Sequence, residues 1–186
     1  PECNIVFSGG KLENKEMNFL YNIADVTMNI ASNEGFGLGT AESLMSGTPI
    51  IVNVTGGLQD QCGFKLDGKF LTHKDYFDVE SLHNWKEWEN NDKLTWGEWA
   101  KPVWPKSRSL MGSVPTPYIF DDRCDWQDAA KAIKYWYDIG KEKRDKCGIK
   151  GHKWTMGDES MMSARWMGKN FIDHMETAFE KWTPRT

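Results

Sequence analysis

The chain has 186 residues, of which 39% are hydrophobic and 27% are charged, and its formal net charge is -4. This length suits one domain with a sizeable core, and the composition is that of an ordinary globular protein. The negative balance argues against a nucleic-acid-binding protein, which normally carries a strongly basic surface. No apolar run approaches the roughly 20 residues that cross a bilayer. The first residues also lack the pattern of a secretory signal peptide.

The four cysteines, Cys3, Cys62, Cys124 and Cys147, are widely spaced along the chain. None of them forms a C-x-x-C pair, and none has a histidine at the spacing of zinc ligands. We therefore expect reduced cysteines, no metal site and a cytoplasmic protein, with peripheral attachment to a membrane left open.

The first sixty residues alternate between short apolar runs and amphipathic stretches. The apolar runs predict strands at 4–8, 26–31 and 50–54, and apolar residues at helical spacing predict helices at 15–24 and 40–46. Strands and helices that alternate with short connections predict a parallel sheet wrapped by helices. The predicted fold class is therefore α/β, with a Rossmann-like parallel sheet and flanking helices.

Between about residues 60 and 117 no periodicity is sustained, which predicts a long irregular insertion. Such a segment inside a compact domain is usually functional or partly structured. Five of the ten tryptophans of the chain fall within twenty residues of it, namely Trp85, Trp88, Trp96, Trp99 and Trp104. Two interpretations stay open: buried rings that stabilise an irregular segment, or a surface on which an acceptor sugar or a partner stacks.

The last third of the chain predicts one more strand at 118–121, then helices at about 125–139, 141–149 and 159–182. The first and last of these helices each carry an apolar stripe, which predicts faces that pack against the core. The stripes consist of Trp126, Ala129, Ala130, Ile133, Trp136 and Tyr137, and of Met162, Trp166, Met167, Phe171, Met175 and Phe179. Asp121 and Asp122 are expected in a solvated turn.

The segment that carries the chemistry joins the predicted strand at 26–31 to the helix at 40–46. Gly35, Gly37 and Gly39 allow the backbone to turn sharply and to approach a ligand, because no Cβ atom stands in the way. The helix that follows presents free N–H groups and the positive end of its dipole, which together favour a phosphate. Open α/β sheets bind their ligands at this carboxyl edge.

Two carboxylates flank this predicted phosphate site: Glu34 at the end of the strand, and Glu42 about one turn into the helix. A phosphate would repel both of them, so we expect them to face hydroxyl groups instead. The two oxygens of a carboxylate match the vicinal hydroxyls of a ribose or a hexose. A phosphate group between two sugars describes a nucleotide sugar.

The segment Glu34-Gly-Phe-Gly-Leu-Gly-Thr-Ala-Glu42 resembles the E-x7-E motif of glycosyltransferase family 4, whose members are retaining enzymes of the GT-B fold. The likeness extends to both sides of the motif, through 6–9, 20–26, 47–51 and Gly56-Gly57. It covers residues 4–60 strongly and about 116–182 loosely. The resemblance implies that the chain supplies the C-terminal, donor-binding domain of such an enzyme.

The resemblance also implies a role for each residue of the motif. Glu34 would contact hydroxyls of the donor sugar, as the candidate catalytic residue but not as a covalent nucleophile, and Glu42 would hold the nucleotide ribose. Backbone amides would face the sugar and diphosphate at Phe36, Gly37, Leu38, Gly39 and Thr40. Enzymes of this family retain anomeric configuration and need no metal at the donor, so we expect no cofactor. The chain also lacks a D-x-D motif in a strand-end loop.

A complete GT-B enzyme has two domains, and in the family an Arg and a Lys that clamp the diphosphate lie upstream of the region matched here. Lys11 and Lys15 do not match those positions. We therefore expect residues 1–186 to form a single, incomplete nucleotide-sugar-binding domain that is inactive alone. An N-terminal acceptor domain would be supplied in cis or in trans. The sequence does not specify the acceptor (a glycan, a lipid or a protein), nor the base and the sugar of the donor.

Two alternatives compete with the transferase. A non-catalytic carbohydrate-binding or interaction module could keep the donor fold and use the Trp-rich insertion. A dinucleotide oxidoreductase is the weaker alternative, because no G-x-G-x-x-G follows the first predicted strand, and the Gly35–Gly39 turn lacks the third glycine at the required offset.

Overall fold

The computed structural model describes residues 4–71, 88–112 and 118–184. Over these ranges the protein is of mixed α/β type, with a small parallel sheet and flanking helices. In chain order the elements are α1 (Asn14–Ile23), β1 (Thr27–Asn29), α2 (Leu38–Met45), β2 (Ile50–Asn53), α3 (Gly56–Asp60), β3 (Lys65–Leu66), β4 (Lys69–Phe70), β5 (Leu94–Thr95), β6 (Ala100–Val103), β7 (Pro105–Met111), β8 (Ile119–Cys124), α4 (Trp126–Asp138), α5 (Lys141–Met156) and α6 (Ala164–Lys181).

The central sheet has the order β1-β2-β6, and both pairs are parallel. Strand β2 lies in the middle, and all four of its residues are buried. Strand β6 belongs to the segment that was expected to be irregular, so that expectation is wrong for this stretch. Its sequence Ala-Lys-Pro-Val hides the strand, since Pro102 cannot donate a ladder hydrogen bond. A proline is tolerated here because β6 lies at the edge of the sheet.

The predicted buried strand at 4–8 is also wrong. This segment has no strand structure, and the side chains of Ile5, Val6 and Phe7 are 74%, 89% and 87% exposed. An apolar run forms a strand only when a neighbouring strand completes its hydrogen bonds. In the described residues β1 pairs with β2 alone, and the segment at 4–8 does not join the sheet.

Two clusters of buried side chains cover the two faces of the sheet. Ile50 and Val52 of β2 belong to the larger cluster and Ile51 to the smaller one, as the alternation of a strand requires. The larger cluster contains Leu44 of α2, Trp154 of α5 and the residues that lead into β6. The smaller one contains Ala132 and Trp136 of α4 together with Cys147 of α5. Helix α4 therefore covers this face of the sheet, and α5 contributes side chains to both clusters.

The tryptophans of the insertion contribute mostly to this core. Trp99 and Trp104 are 9% and 8% exposed, and Trp88 packs against the same cluster. The ring of Trp99 stacks on Trp154 with centroids 4.8 Å apart, and its Nε1 donates to the carbonyl of Gln61 at 3.0 Å. Trp96 is 37% exposed, and Trp85 lies outside the described residues. The stabilising interpretation therefore holds for the buried rings.

The apolar stripes of the C-terminal helices pack less than expected. On α4 the buried residues are Ala129, Ala132 and Trp136, whereas Trp126 and Tyr137 are 75% and 80% exposed. On α6 no residue is buried, so the predicted core-facing stripe of this helix is wrong. Periodicity correctly predicted an apolar face on α6, but no surface of the described residues packs against that face.

In the described parts of the chain, none of the helices is both long enough and apolar enough to cross a membrane.

Candidate functional site at the carboxyl edge of the sheet

Two glycine-rich turns meet at the edge of the sheet where β1 and β2 end. The first turn spans Gly35–Gly39 after β1, and the second is Gly56-Gly57 after β2. Because the strands are parallel, both turns leave the sheet at the same edge. The amide of Gly57 donates to the carbonyl of Glu34 at 3.1 Å, which joins the two turns directly.

The second pair of glycines is required by this close approach. A Cβ atom on Gly56 would lie 2.0 Å from the Glu34 carbonyl oxygen, and one on Gly57 would lie 2.4 Å from that of Gly35. Gly56 also has a φ of +46°, a conformation that side chains disfavour. The Gly-Gly pair therefore allows the second turn to pack directly against the backbone of the first.

Gly37 lies in the middle of the first turn as the N-cap residue of α2, and it adopts the left-handed conformation with a φ of +86°. The buried side chain of Gln61 donates through Nε2 to the carbonyls of Phe36 at 2.5 Å and Gly37 at 3.0 Å. The Thr40 hydroxyl donates to the Gly37 carbonyl at 3.0 Å as well. The carbonyl groups of Phe36 and Gly37 thus accept hydrogen bonds from buried side chains of the protein itself.

The N-terminus of α2 keeps its free donors. The first intrahelical bond runs from the amide of Ala41 to the carbonyl of Gly37 at 3.1 Å, so the amides of Leu38, Gly39 and Thr40 have no partner within the helix. Gly37 has no side chain with which to cap them. A Cβ built on Gly35 meets nothing within 4 Å, so the space beside the turn is open. An anion at this position would meet the free N–H groups and the positive end of the helix dipole.

The structure brings the predicted motif residues together around this turn, but their side chains do not all face the same way. Phe36 and Leu38 are 41% and 69% exposed, whereas the side chain of Thr40 is buried and engaged inward, so only its amide is directed to the site. Glu34 is half-buried, and its carboxylate makes no hydrogen bond or ion pair within the described part of the chain.

Glu42 is exposed on α2, where its Oε2 accepts a hydrogen bond of 3.0 Å from the hydroxyl of Tyr21 on α1. Burial, together with the hydrogen bond to Glu42 and its negative charge, raises the pKa of Tyr21 to about 12. The raised pKa therefore keeps the phenol a hydrogen-bond donor further into the alkaline range than an ordinary tyrosine. The two carboxylates of the motif therefore differ: Tyr21 orients that of Glu42 by a hydrogen bond, whereas that of Glu34 has no such partner among the described residues.

A buried polar cluster beside the turns is not indicated by the sequence. Asp122 is 4% exposed, and its carboxylate accepts from Arg108 at 2.6 and 2.9 Å and from the hydroxyl of Thr55 at 2.9 Å. Asn53 donates to the carbonyl of Asp122 at 2.6 Å and to that of Ala31 at 2.9 Å. The expectation of a solvated turn at Asp122 is therefore wrong.

This cluster fixes the end of β2 against the hairpin formed by β7 and β8. Thr55 immediately precedes Gly56, so the hydrogen bond from its hydroxyl to Asp122 anchors the second glycine turn to β8. Neither Asp122 nor Arg108 has a sequence signal of its own, because β8 carries two aspartates in succession and only the tertiary contact distinguishes them. Gln61, the other missed residue, follows Gln59 and Asp60 in the chain, so nothing in the local sequence distinguishes it as the buried one.

Within the described ranges no group of three or more His, Cys, Asp or Glu side chains is placed to hold a metal ion. No protein-family model matches the chain, and a search of curated proteins yields no match.

Proposed function

We propose that this chain binds the nucleotide-sugar donor of a retaining glycosyltransferase with a GT-B-type, Rossmann-like domain. The site is the turn Gly35–Gly39 with the first turn of α2. Further residues in cis, or a partner in trans, would bind the acceptor. The resemblance of the Glu34–Glu42 segment to the E-x7-E motif supplies the reaction class, and the geometry of the turn supplies the physical support.

The observation that carries the proposal is the uncapped N-terminus of α2 beside an open turn. The amides of Leu38, Gly39 and Thr40 lack helical partners, and Gly37 provides no capping side chain. Those donors suit the oxygens of a diphosphate. Glu34 and Glu42 stand before and after these donors in the chain, where hydroxyl groups on either side of a diphosphate could reach them.

The chemistry proposed for the site is the stabilisation of a departing diphosphate. In transfer, the bond from the anomeric carbon to the diphosphate oxygen breaks, and a bond to the acceptor oxygen forms with the same configuration. The acceptor proton is released. Preorganised amides and a helix dipole stabilise the charge that develops on the leaving group. Glu34 would orient hydroxyls of the sugar, with no covalent glycosyl-enzyme intermediate assigned to it.

Calorimetric titration with UDP-, GDP- and ADP-sugars tests the proposal. We expect one of these donors to bind, and Glu42→Ala to weaken it by about 1.5–3 kcal/mol, the contribution of hydrogen bonds to a charged group. The matched control is Glu176→Ala, which removes an exposed glutamate from α6 and should leave the affinity unchanged.

Two outcomes would contradict the proposal. If none of the donors binds the native chain, the transferase hypothesis fails for this site. If a donor binds but Glu42→Ala binds it equally well, the ribose role of Glu42 is wrong. Binding of oligosaccharides without affinity for any nucleotide would favour the alternative of a non-catalytic carbohydrate-binding module.

A further inference from the structure

We infer that Tyr21 is a positioning residue of this site, whose hydroxyl holds the Glu42 carboxylate in the orientation that receives the two hydroxyls of a ribose. The inference rests on the proposed function, since it assigns a residue outside the motif to the task proposed for Glu42. It concerns α1, an element that the motif does not include.

The hydroxyl of Tyr21 reaches across the first turns of α2. It donates to Oε2 of Glu42 at 3.0 Å, and a Cβ built on Gly39 would lie 3.4 Å from it. Gly39 and Glu42 are three residues apart, so they lie on the same face of the helix. The phenol therefore lies against that face of α2, in contact with both Gly39 and Glu42.

Tyr21 is itself held in place by the backbone. Its carbonyl accepts a hydrogen bond of 2.6 Å from the hydroxyl of Thr48, a buried residue between α2 and β2. Helix α1 begins with a capping box in which Glu13 and Glu16 bond each other's backbone amides. The ring is thus attached to an ordered helix that is tied to the sheet, and its hydroxyl can restrain a side chain that would otherwise be free.

The restraint leaves the carboxylate able to bind. A carboxylate has about four lone-pair sites on its two oxygens, and the hydroxyl of Tyr21 uses one of them. An exposed glutamate samples several rotamers, and binding to a disordered one loses entropy that a fixed one does not lose. The phenol is neutral at neutral pH, so it donates to Glu42 and does not repel it, and its raised pKa extends this state into alkaline solution.

The space beside the pair suits a neutral, hydroxyl-rich group. Tyr21 and Glu42 line a cavity of about 310 Å³ together with Asn14, Asn18, Ser46 and two methionines. Its polar groups are amides, hydroxyls and one carboxylate, and no lysine or arginine lines it. This lining matches a ribose better than a phosphate, which would require positive charge.

The test compares ribonucleotides with forms that lack the ribose hydroxyls. UDP, GDP and ADP are titrated into the chain, and the tightest of them is compared with its 2′,3′-dideoxy form. The proteins are the native chain, Tyr21→Phe, Glu42→Ala and Tyr137→Phe, a control that removes the hydroxyl of an exposed tyrosine on α4. The readout is the ratio of the two dissociation constants.

We expect the native chain to prefer the ribonucleotide and Glu42→Ala to lose that preference. Tyr21→Phe should reduce the ratio by roughly threefold to tenfold, the effect of one hydrogen bond, while its affinity for the dideoxy form stays unchanged. Tyr137→Phe should behave as the native chain. A purely structural role of Tyr21 would instead weaken both ligands equally, and that result would overturn the inference.

The remaining outcomes separate this inference from the proposed function. If Glu42→Ala loses the preference and Tyr21→Phe keeps it, Tyr21 does not position Glu42, and the proposed function stands. If the native chain binds both forms equally, or binds no nucleotide, the role proposed for Glu42 fails and the inference on Tyr21 fails with it.

Discussion

The segment around β5 and β6 and the helix α6 are both rich in large apolar side chains, yet they bury them to opposite extents. Trp99 and Trp104 beside β6 are 9% and 8% exposed, whereas Phe171 and Phe179 on α6 are 65% and 76% exposed. The difference lies in what faces each side chain. Cβ atoms on Gly63, Gly97 and Gly151 would all come within 2.7 Å of Trp99, so these glycines create the space that its ring fills.

Helix α6 has no complementary surface of this kind among the described residues, and none of its side chains is buried. The comparison shows that apolar content does not determine burial by itself. A large side chain is buried where other elements leave a matching space, and close packing makes that space specific.

The largest effect is expected from emptying the space around Trp99. Trp99→Ala removes the stack on Trp154 and the bond to Gln61, and leaves a cavity bordered by three glycines that cannot fill it. We expect a loss of about 3–5 kcal/mol in the free energy of unfolding, as for other buried tryptophans. Urea titration followed by far-ultraviolet circular dichroism measures it.

The control for that substitution is Trp126→Ala, which truncates a ring that is 75% exposed at the start of α4. A loss for Trp126→Ala as large as that for Trp99→Ala would contradict the contrast between buried and exposed tryptophans.

A smaller effect is expected from the buried charge pair beside the site. Asp122→Asn removes the carboxylate that accepts two hydrogen bonds from the Arg108 guanidinium, and breaking a buried pair from one side costs about 3–5 kcal/mol. We expect the lower end, about 3 kcal/mol, because the side chain of Arg108 retains 18% exposure and can reach water. The same urea titration measures the loss.

Asp121→Asn serves as the neighbouring control, because Asp121 pairs with Arg123, whose side chain is 60% exposed. Equal stabilities for the two variants would show that the Asp122 pair contributes no more than a surface pair, against the burial that the structure shows.

The smallest effect is expected on α6. Phe171→Ala and Phe179→Ala remove exposed rings, so each should change the free energy of unfolding by less than about 0.5 kcal/mol, as at other exposed positions. A loss above about 2 kcal/mol, of the size seen for core truncations, would mean that something covers this face in solution. Repeating the titration at several protein concentrations would then distinguish a second copy from the same chain.

Much of the candidate site could be predicted from local sequence. The strands and helices around the motif lie close to their expected positions, because strand runs, helix spacing and the breakers Gly47 and Pro49 act over a few residues. The requirement for glycine at Gly37 is partly local, since it adopts a positive φ at the start of a helix. It is also tertiary, because a Cβ atom there would lie 2.5 Å from the side chain of Leu58. The predicted roles of Glu34 and Glu42 in binding a donor stay predictions.

Other features could not be predicted because they depend on residues distant in the chain. Ala100–Val103 becomes a sheet strand by pairing with β2, although Lys101 and Pro102 conceal any strand pattern. Asp122 differs from Asp121 in facing Arg108 and Thr55. Tyr21 touches Glu42 across 21 residues, and no spacing rule links them.

By itself the sequence determined where the chain turns, where helices begin and end near the motif, and which residue types meet in the glycine-rich turn. These features follow from backbone sterics and from short-range side-chain patterns. Only the tertiary structure decided which apolar and charged side chains are buried, since burial depends on the surface that another element presents. For that reason Trp99 lies in the core and Phe179 lies in solvent, although both stand among comparable apolar neighbours in the sequence.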